Sequence, residues 1–393
     1  METSNIDLNR VNHLLLRKQQ LTADTRCDDL IRVARDIAGL HGTNAMSPYL
    51  SLFARMRQFQ KKDLETELAV TRSLGRIRFV RRTIYILPKD MLPVAYAATR
   101  EMVEPLPRDY RRTRGISPEE YAVMSTAILE QLKGIGMTAQ EIRKVLQTEA
   151  NVSAIVNLMC DQGLLVRGAS RSGWRSINHT YYRFDEHFPD VTLEGMDEAE
   201  ARVEIIRRYL AAFGPATEDD IVWWTGLRRT DVRHVLARMK DEVRTTGIAE
   251  LTGEFLLLRS DEEQLKMAKD AQALVTNLLP VLDPYLMAYR ERDRYLDGKW
   301  YEHVYDRSGN ATSTILLNGR IVGVWDFAED REPAVKLFLF EEVREEALRE
   351  IHSEARKTGK CIADKEVEVR ESDAMLPLTR RTAGGYMSPL KSG

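Results

Sequence analysis

One local pattern occurs twice in this chain and restricts its fold more than any other feature. Thr138 is followed three residues later by Glu141, and Thr217 is followed at the same spacing by Asp220, with an isoleucine directly after each acid. This is the spacing of a capping box, in which the threonine and the acid satisfy each other's backbone N–H groups at the start of a helix. The recurrence indicates a duplicated structural unit.

The segments around the two capping boxes follow the same order. Around the first, a helical pattern at 119–132 precedes the box, a third helix is expected at 152–161, and two strands follow with a polar turn between them. Around the second, a helix at 198–213 comes first, a third helix starts near Thr230, and a short hairpin ends near Arg259. Three helices followed by a hairpin are typical of a winged helix-turn-helix. We therefore predict winged-helix domains at 116–190 and 196–275.

The first part of the chain has the same plan in a less regular form. Helices are expected at 7–18, 27–40 and 47–56, and a hairpin follows in which arginines alternate with apolar residues. Alternation in a strand places one set of side chains on each face, so one face would pack while the other points its arginines outward. We predict a first winged helix at 1–104 and an exposed linker, rich in proline and arginine, at 105–115.

Strand patterns dominate the chain beyond Pro280. Asn318-Gly319 is a strong hairpin signal between two of these strands. The predicted strands and the helix that follows them cover 302–309, 313–319, 320–327, 334–340 and 341–359. The predicted fold class is α+β, with three tandem winged-helix domains, a small β-barrel-like domain or half-barrel with one helix at 276–380, and a flexible tail at 381–393.

The charge is distributed unevenly along the chain. Residues 1–115 carry 21 Lys and Arg against 13 Asp and Glu, residues 116–280 carry 19 against 26, and the remainder carries 18 against 21. Only the first part is basic, and local charge decides whether a phosphate backbone is attracted, because screening in physiological salt acts over about 8 Å.

Several classes of protein do not fit the sequence. No export signal or run of about 18 apolar residues is present, so we expect a cytoplasmic protein without a membrane span. The three cysteines, Cys27, Cys160 and Cys361, lack metal-binding or disulfide spacing. No phosphate-binding glycine loop, HExxH motif or nucleophile elbow is found, and we expect neither a metal nor a cofactor.

Several stretches resemble one family of bacterial and archaeal proteins. They are GLHGTNAMSPYLSLFARM, RFVRRTIYILP, LLPVLDPYLMAYRERDRYL and YDRSGNATSTILLNGRIVGVWDF, and together they reach from Gly39 to Phe327. They are similar to winged-helix DNA glycosylases of the AlkZ and YcaQ type, which excise alkylated purines and unhook interstrand crosslinks. The resemblance implies three winged helices and a β-barrel around a concave DNA channel.

The resemblance also points to a catalytic loop. Active members of the family carry a glutamine, an apolar residue and then a glutamine or aspartate, and this slot reads His41-Gly42-Thr43 here. We take His41 and Thr43 as the catalytic candidates. A histidine can position water, offer a cation to a phosphate or act as a general base if its pKa is near neutral. Threonine cannot supply the negative charge of an aspartate. The alternative is that His41 satisfies local backbone groups and that Thr43 and Asn44 belong to the turn before a helix capped by Ser47.

Two groups of arginines are candidates for contacts with DNA phosphates. The DNA-binding candidates are Arg76, Arg78, Arg81 and Arg82 of the first hairpin, together with Asn44. Their alternative is a solvated strand face. A second set, Arg228, Arg229, Arg233 and Arg238, is mixed with acids and is interpreted as an ordinary charged helix surface.

Other residues of interest are interpreted as structural first. Trp223 and Trp224 are assigned to the core rather than to base stacking. In the C-terminal part, the motif residues assigned to turns and packing are Asp283, Tyr285, Arg290, Asp306, Arg307 and Trp325.

The leading hypothesis is a monomeric, nucleoid-associated DNA repair glycosylase that binds double-stranded DNA, including damaged DNA, and hydrolyses the N-glycosidic bond of an alkylated purine or crosslink. The alternative is a non-catalytic winged-helix DNA-binding protein, either a regulator or a damage binder. A regulator is expected to be a symmetric dimer, whereas three different winged helices in one chain suggest a monomer. A third possibility is that the winged helices bind other proteins.

Overall fold

Helices and strands alternate along the whole chain, which confirms the α+β class. The computed structural model describes residues 6–103, 111–267, 274–329, 331–372 and 377–378. Most of the predicted linker, 105–110, and the predicted tail, 381–393, lie outside the described residues, and 111–114 are helical. Within the described ranges, no helix is long and apolar enough to cross a membrane.

The first unit is built around a three-stranded sheet of order β1-β3-β2. Its elements are α1 (Leu8–Lys18), α2 (Leu30–Asp36), β1 (Leu40–His41), α3 (Ser47–Phe53), α4 (Lys61–Ala69), β2 (Leu74–Arg78), β3 (Ile84–Pro88) and α5 (Leu92–Val103). Helix α2 is shorter than predicted because Ala38 and Gly39 adopt positive φ values of 56° and 101°, which turn the chain into β1. A Cβ on Gly39 would lie 2.5 Å from a Leu87 methyl carbon, so the turn also needs a residue without a side chain.

The second unit has the predicted order of elements and a sheet of order β4-β6-β5. Its elements are α6 (Pro118–Gln131), β4 (Met137–Thr138), α7 (Ala139–Leu146), α8 (Val152–Asp161), β5 (Leu165–Ser170), β6 (His179–Arg183) and the short α9 (Phe184–His187). The first capping box is confirmed, since Glu141 accepts the Thr138 N–H at 2.7 Å and Thr138 accepts the Glu141 N–H at 3.3 Å.

The third unit repeats this order, and its capping box is also confirmed. Thr217 and Asp220 exchange their two hydrogen bonds at 3.0 and 3.1 Å, and Ala216 pairs with Leu256 in the manner of a short first strand. The elements are α10 (Glu198–Phe213), α11 (Glu218–Thr225), α12 (Arg229–Arg238), β7 (Val243–Thr246), β8 (Phe255–Leu258) and α13 (Arg259–Met267).

The C-terminal part forms a five-stranded sheet of order β13-β12-β11-β10-β9. Its elements are β9 (Thr276–Leu279), α14 (Tyr301–Val304), β10 (Thr314–Leu317), β11 (Arg320–Ala328), β12 (Ala334–Leu339), α15 (Glu345–Ala363) and β13 (Glu368–Glu371). The Asn318-Gly319 turn is confirmed, with φ values of 49° and 83°. Within the described residues no pairing joins β9 to β13, so this is an open sheet and the predicted barrel closure is not observed.

The strand predicted at 302–309 is wrong. Residues Tyr301–Val304 form the helical turn α14, and a tight loop follows. The loop is held by the Asp306 carboxylate, which accepts N–H groups of Ser308 and Asn310 at 2.8 and 2.9 Å. An Asx turn of this kind competes with a strand because the side chain takes up the backbone donors.

The first unit, the third unit and the C-terminal part share one hydrophobic core. Buried ion pairs also join these parts of the chain. Arg55 of the first unit and Asp283 of the C-terminal part are both 0% exposed and form a two-pronged pair at 2.7 and 2.8 Å. Lys18 and Asp261 form a second pair at 2.7 Å between the first and third units. The surfaces between units are therefore fixed rather than sliding, because a buried charge separated from its partner is strongly destabilising.

Candidate active site

His41 lies at the end of the short strand β1, opposite Tyr85 of β3. The two ring centroids are 5.2 Å apart. The histidine is only 4% exposed, and its Nδ1 is buried without a hydrogen-bond partner in the described residues. The expected alternative, a histidine that satisfies local backbone groups, does not account for this unpartnered nitrogen.

The environment of His41 keeps its ring neutral. Burial, with a further contribution from the positive charge of Arg81, lowers the pKa of His41 from 6.5 to about 3, while Asp283 acts weakly in the opposite direction. The expectation of a near-neutral pKa is therefore wrong. A ring with this pKa is a weak base and offers no cation to a phosphate at neutral pH, but it can still hold a water molecule by a hydrogen bond.

The rest of the loop is arranged around the start of α3. The Gly42 N–H donates to the Ile84 carbonyl at 2.7 Å, and a Cβ at this position would lie 3.2 Å from an Ile84 methyl carbon. Thr43 is exposed beside His41. The side-chain oxygen of Asn44 accepts from the Met46 and Ser47 N–H groups at 2.9 and 3.0 Å. The expected serine cap is wrong, because Ser47 is the first residue of α3 and Met46 lies at the cap position without a side-chain cap hydrogen bond. The Asn44 oxygen closes the turn before the helix, and its predicted contact with DNA stays a prediction.

Arg76 and Arg78 do not point outward as the alternation predicted. Arg76 is buried, where it donates to the Gly168 carbonyl at 3.2 Å and contacts His179 at 2.6 Å. Arg78 pairs with Asp161 at 2.8 Å. Strand β2 packs against β5 of the second unit, so both faces of the hairpin are covered at these positions. Their side chains join two units, so the predicted outward orientation is wrong for Arg76, and the phosphate contacts of Arg76 and Arg78 stay predictions that this arrangement does not favour.

Arg81 and Arg82 form the tip of the same hairpin. Both have left-handed backbone conformations, with φ values of 53° and 60°, which are rare for residues other than glycine. The Arg81 guanidinium lies 3.8 Å from the centre of the Trp223 ring in α11. Arg82 is exposed. A strained tip of this kind is a common feature of binding sites.

Arg292, which sequence reasoning did not select, contacts the same Trp223 ring as Arg81. Arg292 is 6% exposed, and its guanidinium lies 5.2 Å from the Trp223 ring centre and 3.9 Å from that of Tyr305. Arg307 is exposed in the neighbouring loop, whose Ser308 carbonyl accepts from Arg81 at 3.5 Å. We call Arg81, Arg82, Arg292 and Arg307 the free cluster, because none of them forms an ion pair with any described residue.

Four arginines of the third unit, in contrast, form ion pairs. Arg228 pairs with Asp231 at 2.9 Å, Arg229 and Arg233 pair with Glu218 at 2.8 and 3.0 Å, and Arg238 pairs with Glu200. We call these four residues the paired cluster. Their acids already neutralise them, in keeping with the interpretation of an ordinary charged helix surface.

The C-terminal motif residues hold the frame of the site. Besides pairing with Arg55, Asp283 accepts the Ser51 hydroxyl at 2.7 Å and the Tyr285 N–H at 3.0 Å. The Trp325 indole donates to the Leu279 carbonyl at 2.9 Å. Trp224 is buried in the core as expected, whereas Trp223 is half-buried between two arginines.

A basic groove runs along the outer face of the first unit. Two adjoining depressions of about 620 and 770 Å³ share Arg26 and Arg57 in their walls. Further lysines and arginines line them, namely Arg17, Lys18, Arg32, Arg35, Arg208, Lys61, Lys62, Lys357 and Lys360. All of these except Lys62 form ion pairs with described Asp or Glu side chains, so most of the positive charge of the groove is neutralised. Within the described part of the chain, no three His, Cys, Asp or Glu side chains are grouped so that they could hold a metal ion.

Comparison with known proteins adds a family to this geometry. The family model described as DNA glycosylase AlkZ-like matches residues 34–361. An interstrand DNA cross-link repair glycosylase of Streptomyces sahachiroi is 23% identical over 284 residues, which cover 68% of this chain and 73% of that protein. The structure of the Streptomyces sahachiroi DNA glycosylase AlkZ superposes with a TM-score of 0.74 at 19% identity, over 94% of this chain and all of that one.

Proposed function

Because this chain belongs to the family of AlkZ-like DNA glycosylases, we propose that it binds damaged duplex DNA and hydrolyses the N-glycosidic bond of an alkylated purine. The observation that carries the proposal is the position of His41, which is neutral and has an unpartnered ring nitrogen, within electrostatic reach of Arg81, an arginine that forms no ion pair with a described residue. The His41-Gly42-Thr43 loop lies inside the matched range. Arg81 and Arg82 are the residues of the original DNA-binding set that keep this role.

The chemistry that fits these residues is assisted departure of a base that is already cationic. An N7-alkylated purine leaves as a neutral base when the N-glycosidic bond breaks, so no residue has to protonate it. Water then adds to C1′ of the sugar cation and releases one proton to solvent. His41 orients this water through a ring nitrogen, with the Thr43 hydroxyl assisting, and neither residue has to act as a strong base.

The frame of this proposal is the arrangement predicted from the sequence. We interpret 1–104, 116–190 and 196–275 as winged helices, 105–115 as a linker, and 276–380 as a domain related to a half-barrel. The protein acts as a monomer on duplex DNA in the cytoplasm, associated with the nucleoid. The name of the Streptomyces relative extends the substrates to interstrand crosslinks.

The test is release of free base from a duplex that contains N7-methylguanine, under single-turnover conditions. We expect release by the purified protein and a rate about 100-fold lower for His41→Ala, because misplacing the attacking water has an effect of that order. Thr43→Ala is expected to have a smaller effect. Unchanged release after His41→Ala and Thr43→Ala together would remove both residues from the mechanism.

A second candidate is a damage binder that does not cut. It is favoured by the weak basicity of His41 and by the absence of a negative charge at Thr43, while Arg81 places a positive charge where a sugar cation would develop. This candidate predicts no base release together with salt-sensitive binding of damaged DNA. The mass of the protein in solution, measured with and without DNA, separates the glycosylase and the damage binder, both monomers, from a dimeric regulator. If the protein binds no DNA at all, the alternative that the winged helices bind other proteins is favoured.

A further inference from the structure

Arg292 is a buried cation without a countercharge. Its Nη1 donates to the Tyr301 hydroxyl at 2.8 Å and to the Arg290 carbonyl at 3.3 Å, its Nη2 donates to the Gly309 carbonyl at 3.3 Å, and its Nε has no partner. All of these partners are neutral. A buried charge is normally paired, because removing it from water is expensive, so the missing anion needs an explanation.

Arg81 adds a second positive charge at the same place. Its guanidinium and that of Arg292 both lie against the Trp223 ring, with 3.8 and 5.2 Å to the ring centre. The Asp306 carboxylate holds the loop by accepting from Ser308, Asn310 and the Asn310 side chain. Burial and the positive charge of Arg292 lower the pKa of Arg81, whereas the charge of Asp306 raises it without forming an ion pair with either arginine, so the repulsion between the two cations is only partly offset.

A backbone phosphodiester is the anion that the proposed function would supply at this place. Guanidinium groups match phosphate oxygens with directed N–H donors, and such charged bonds are stronger than neutral ones. Burial and, after it, the charge of Arg81 lower the pKa of His41, so the histidine lies within electrostatic reach of this site. A nucleotide whose sugar lies at His41 would bring a neighbouring backbone phosphate within reach of Arg81.

We propose that Arg81 and Arg292 together form a binding site for a single backbone phosphate of the damaged strand, next to the nucleotide held at His41. The site rests on the proposed function for its ligand. It positions the strand and takes no part in bond breaking. On binding, Arg81 leaves the face of Trp223 or shares it with the phosphate.

The experiment replaces one phosphate at a time with an uncharged methylphosphonate in a duplex that carries 2′-fluoro-arabino-N7-methylguanine, whose glycosidic bond resists hydrolysis. We expect a single position near the lesion at which neutralisation weakens binding by the protein roughly tenfold, as the loss of one strong phosphate contact would. In Arg81→Gln the same replacement should change the dissociation constant less than about twofold, because the contact is already absent.

The control is Arg233→Gln, which removes an arginine of the paired cluster and should reproduce the profile of the unmodified protein. Arg292→Gln should behave like Arg81→Gln. If this variant does not fold, the Arg81→Gln arm decides alone, because Arg81 has no ion pair to lose. A flat profile, or a sensitive position that survives in Arg81→Gln, overturns the proposal.

Two further outcomes show whether the site binds free phosphate or a DNA phosphate, and whether a failure concerns this site or the proposed glycosylase activity. If inorganic phosphate displaces the DNA better than chloride at equal ionic strength and the methylphosphonate profile is flat, the site takes free phosphate and the assignment to DNA is wrong. Because binding is measured on a duplex that cannot be cut, failure of base release would contradict the proposed glycosylase and leave this result intact.

Discussion

The free cluster and the paired cluster contain four arginines each, and they differ in what surrounds them. The paired cluster lies on and beside α12, the third helix of the third unit, where each arginine has a carboxylate within ion-pair distance. The free cluster lies on a hairpin tip and a loop, without such partners in the described residues. The number of basic residues in a segment is therefore a poor guide to anion binding. Whether those residues are already ion-paired with carboxylates is a better one. DNA is expected at the free cluster, around Trp223, rather than along α12.

The comparison first predicts that removing the partner of an ion-paired arginine lowers the free energy of unfolding most when the arginine is buried in the core. Asp283→Ala leaves Arg55 buried and unpaired and should lower the free energy of unfolding by about 3–5 kcal/mol. Urea denaturation measures this. Asp28→Ala, which opens the exposed contact with Arg57, should change it by less than about 0.5 kcal/mol. A loss below about 1 kcal/mol for Asp283→Ala would mean that pairing state is a poor guide to energetics here.

The charge of Arg81, a member of the free cluster, adds to the effect of burial on the pKa of His41. Since the pKa of His41 is lowered from 6.5 to about 3 in the folded protein, the unfolded chain takes up the proton first. The associated stability is present above pH 6.5 and is lost as the pH falls toward 3. Between pH 6.5 and 4.5 the unmodified protein should lose roughly 2–3 kcal/mol of unfolding free energy through this group. His41→Gln should not show this loss. Denaturation at several pH values tests it, and parallel curves for the two proteins would contradict the burial of a neutral ring.

DNA affinity gives the direct contrast between the clusters. Arg82→Gln combined with Arg307→Gln removes two exposed, unpaired cations and should weaken binding of a damaged duplex roughly tenfold near physiological salt. The slope of log affinity against log salt should fall by about two, one for each contact. Fluorescence anisotropy across a salt series measures both quantities. An unchanged slope would place the DNA elsewhere on the surface.

The smallest effect is predicted for the paired cluster. Arg233→Gln should leave DNA affinity within about twofold, since Glu218 already neutralises Arg233. The informative companion is Glu218→Gln, which releases Arg233 while Arg229 keeps its ion pair with Asp219, and which should increase affinity slightly. If Arg233→Gln weakens binding as much as the free-cluster variant, α12 enters the DNA groove after all and the comparison fails.

Local sequence signals predicted most of the fold. The boxes at Thr138 and Thr217, the helix Val152–Asp161 and the Asn318-Gly319 turn depend on residues a few positions apart, and each formed as expected. The strand predicted at 302–309 failed because the side chain of Asp306 took up the backbone donors of its own loop.

The site was harder to predict because its determinants are distant in sequence. Arg76 contacts His179, 103 positions away, and Arg81 stacks on Trp223 of another unit. Alternation along a strand cannot show that a second unit covers the outer face. The pKa of His41 was equally hard to predict, because burial and the charge of Arg81 from the hairpin lower it, and both depend on residues distant in sequence. The family resemblance located the loop, whereas only the structure showed the state of its histidine and the isolation of Arg292.

The central claim is that the surface at the free cluster binds damaged DNA and that His41 assists bond breaking there. Its most direct test is the single-turnover rate of N7-methylguanine release as a function of protein concentration. We expect Arg82→Gln with Arg307→Gln to raise the concentration needed for half the maximal rate without changing that maximum. His41→Ala should lower the maximum without changing the half-saturating concentration. No release by the unmodified protein, or a maximal rate indifferent to His41, would contradict the account.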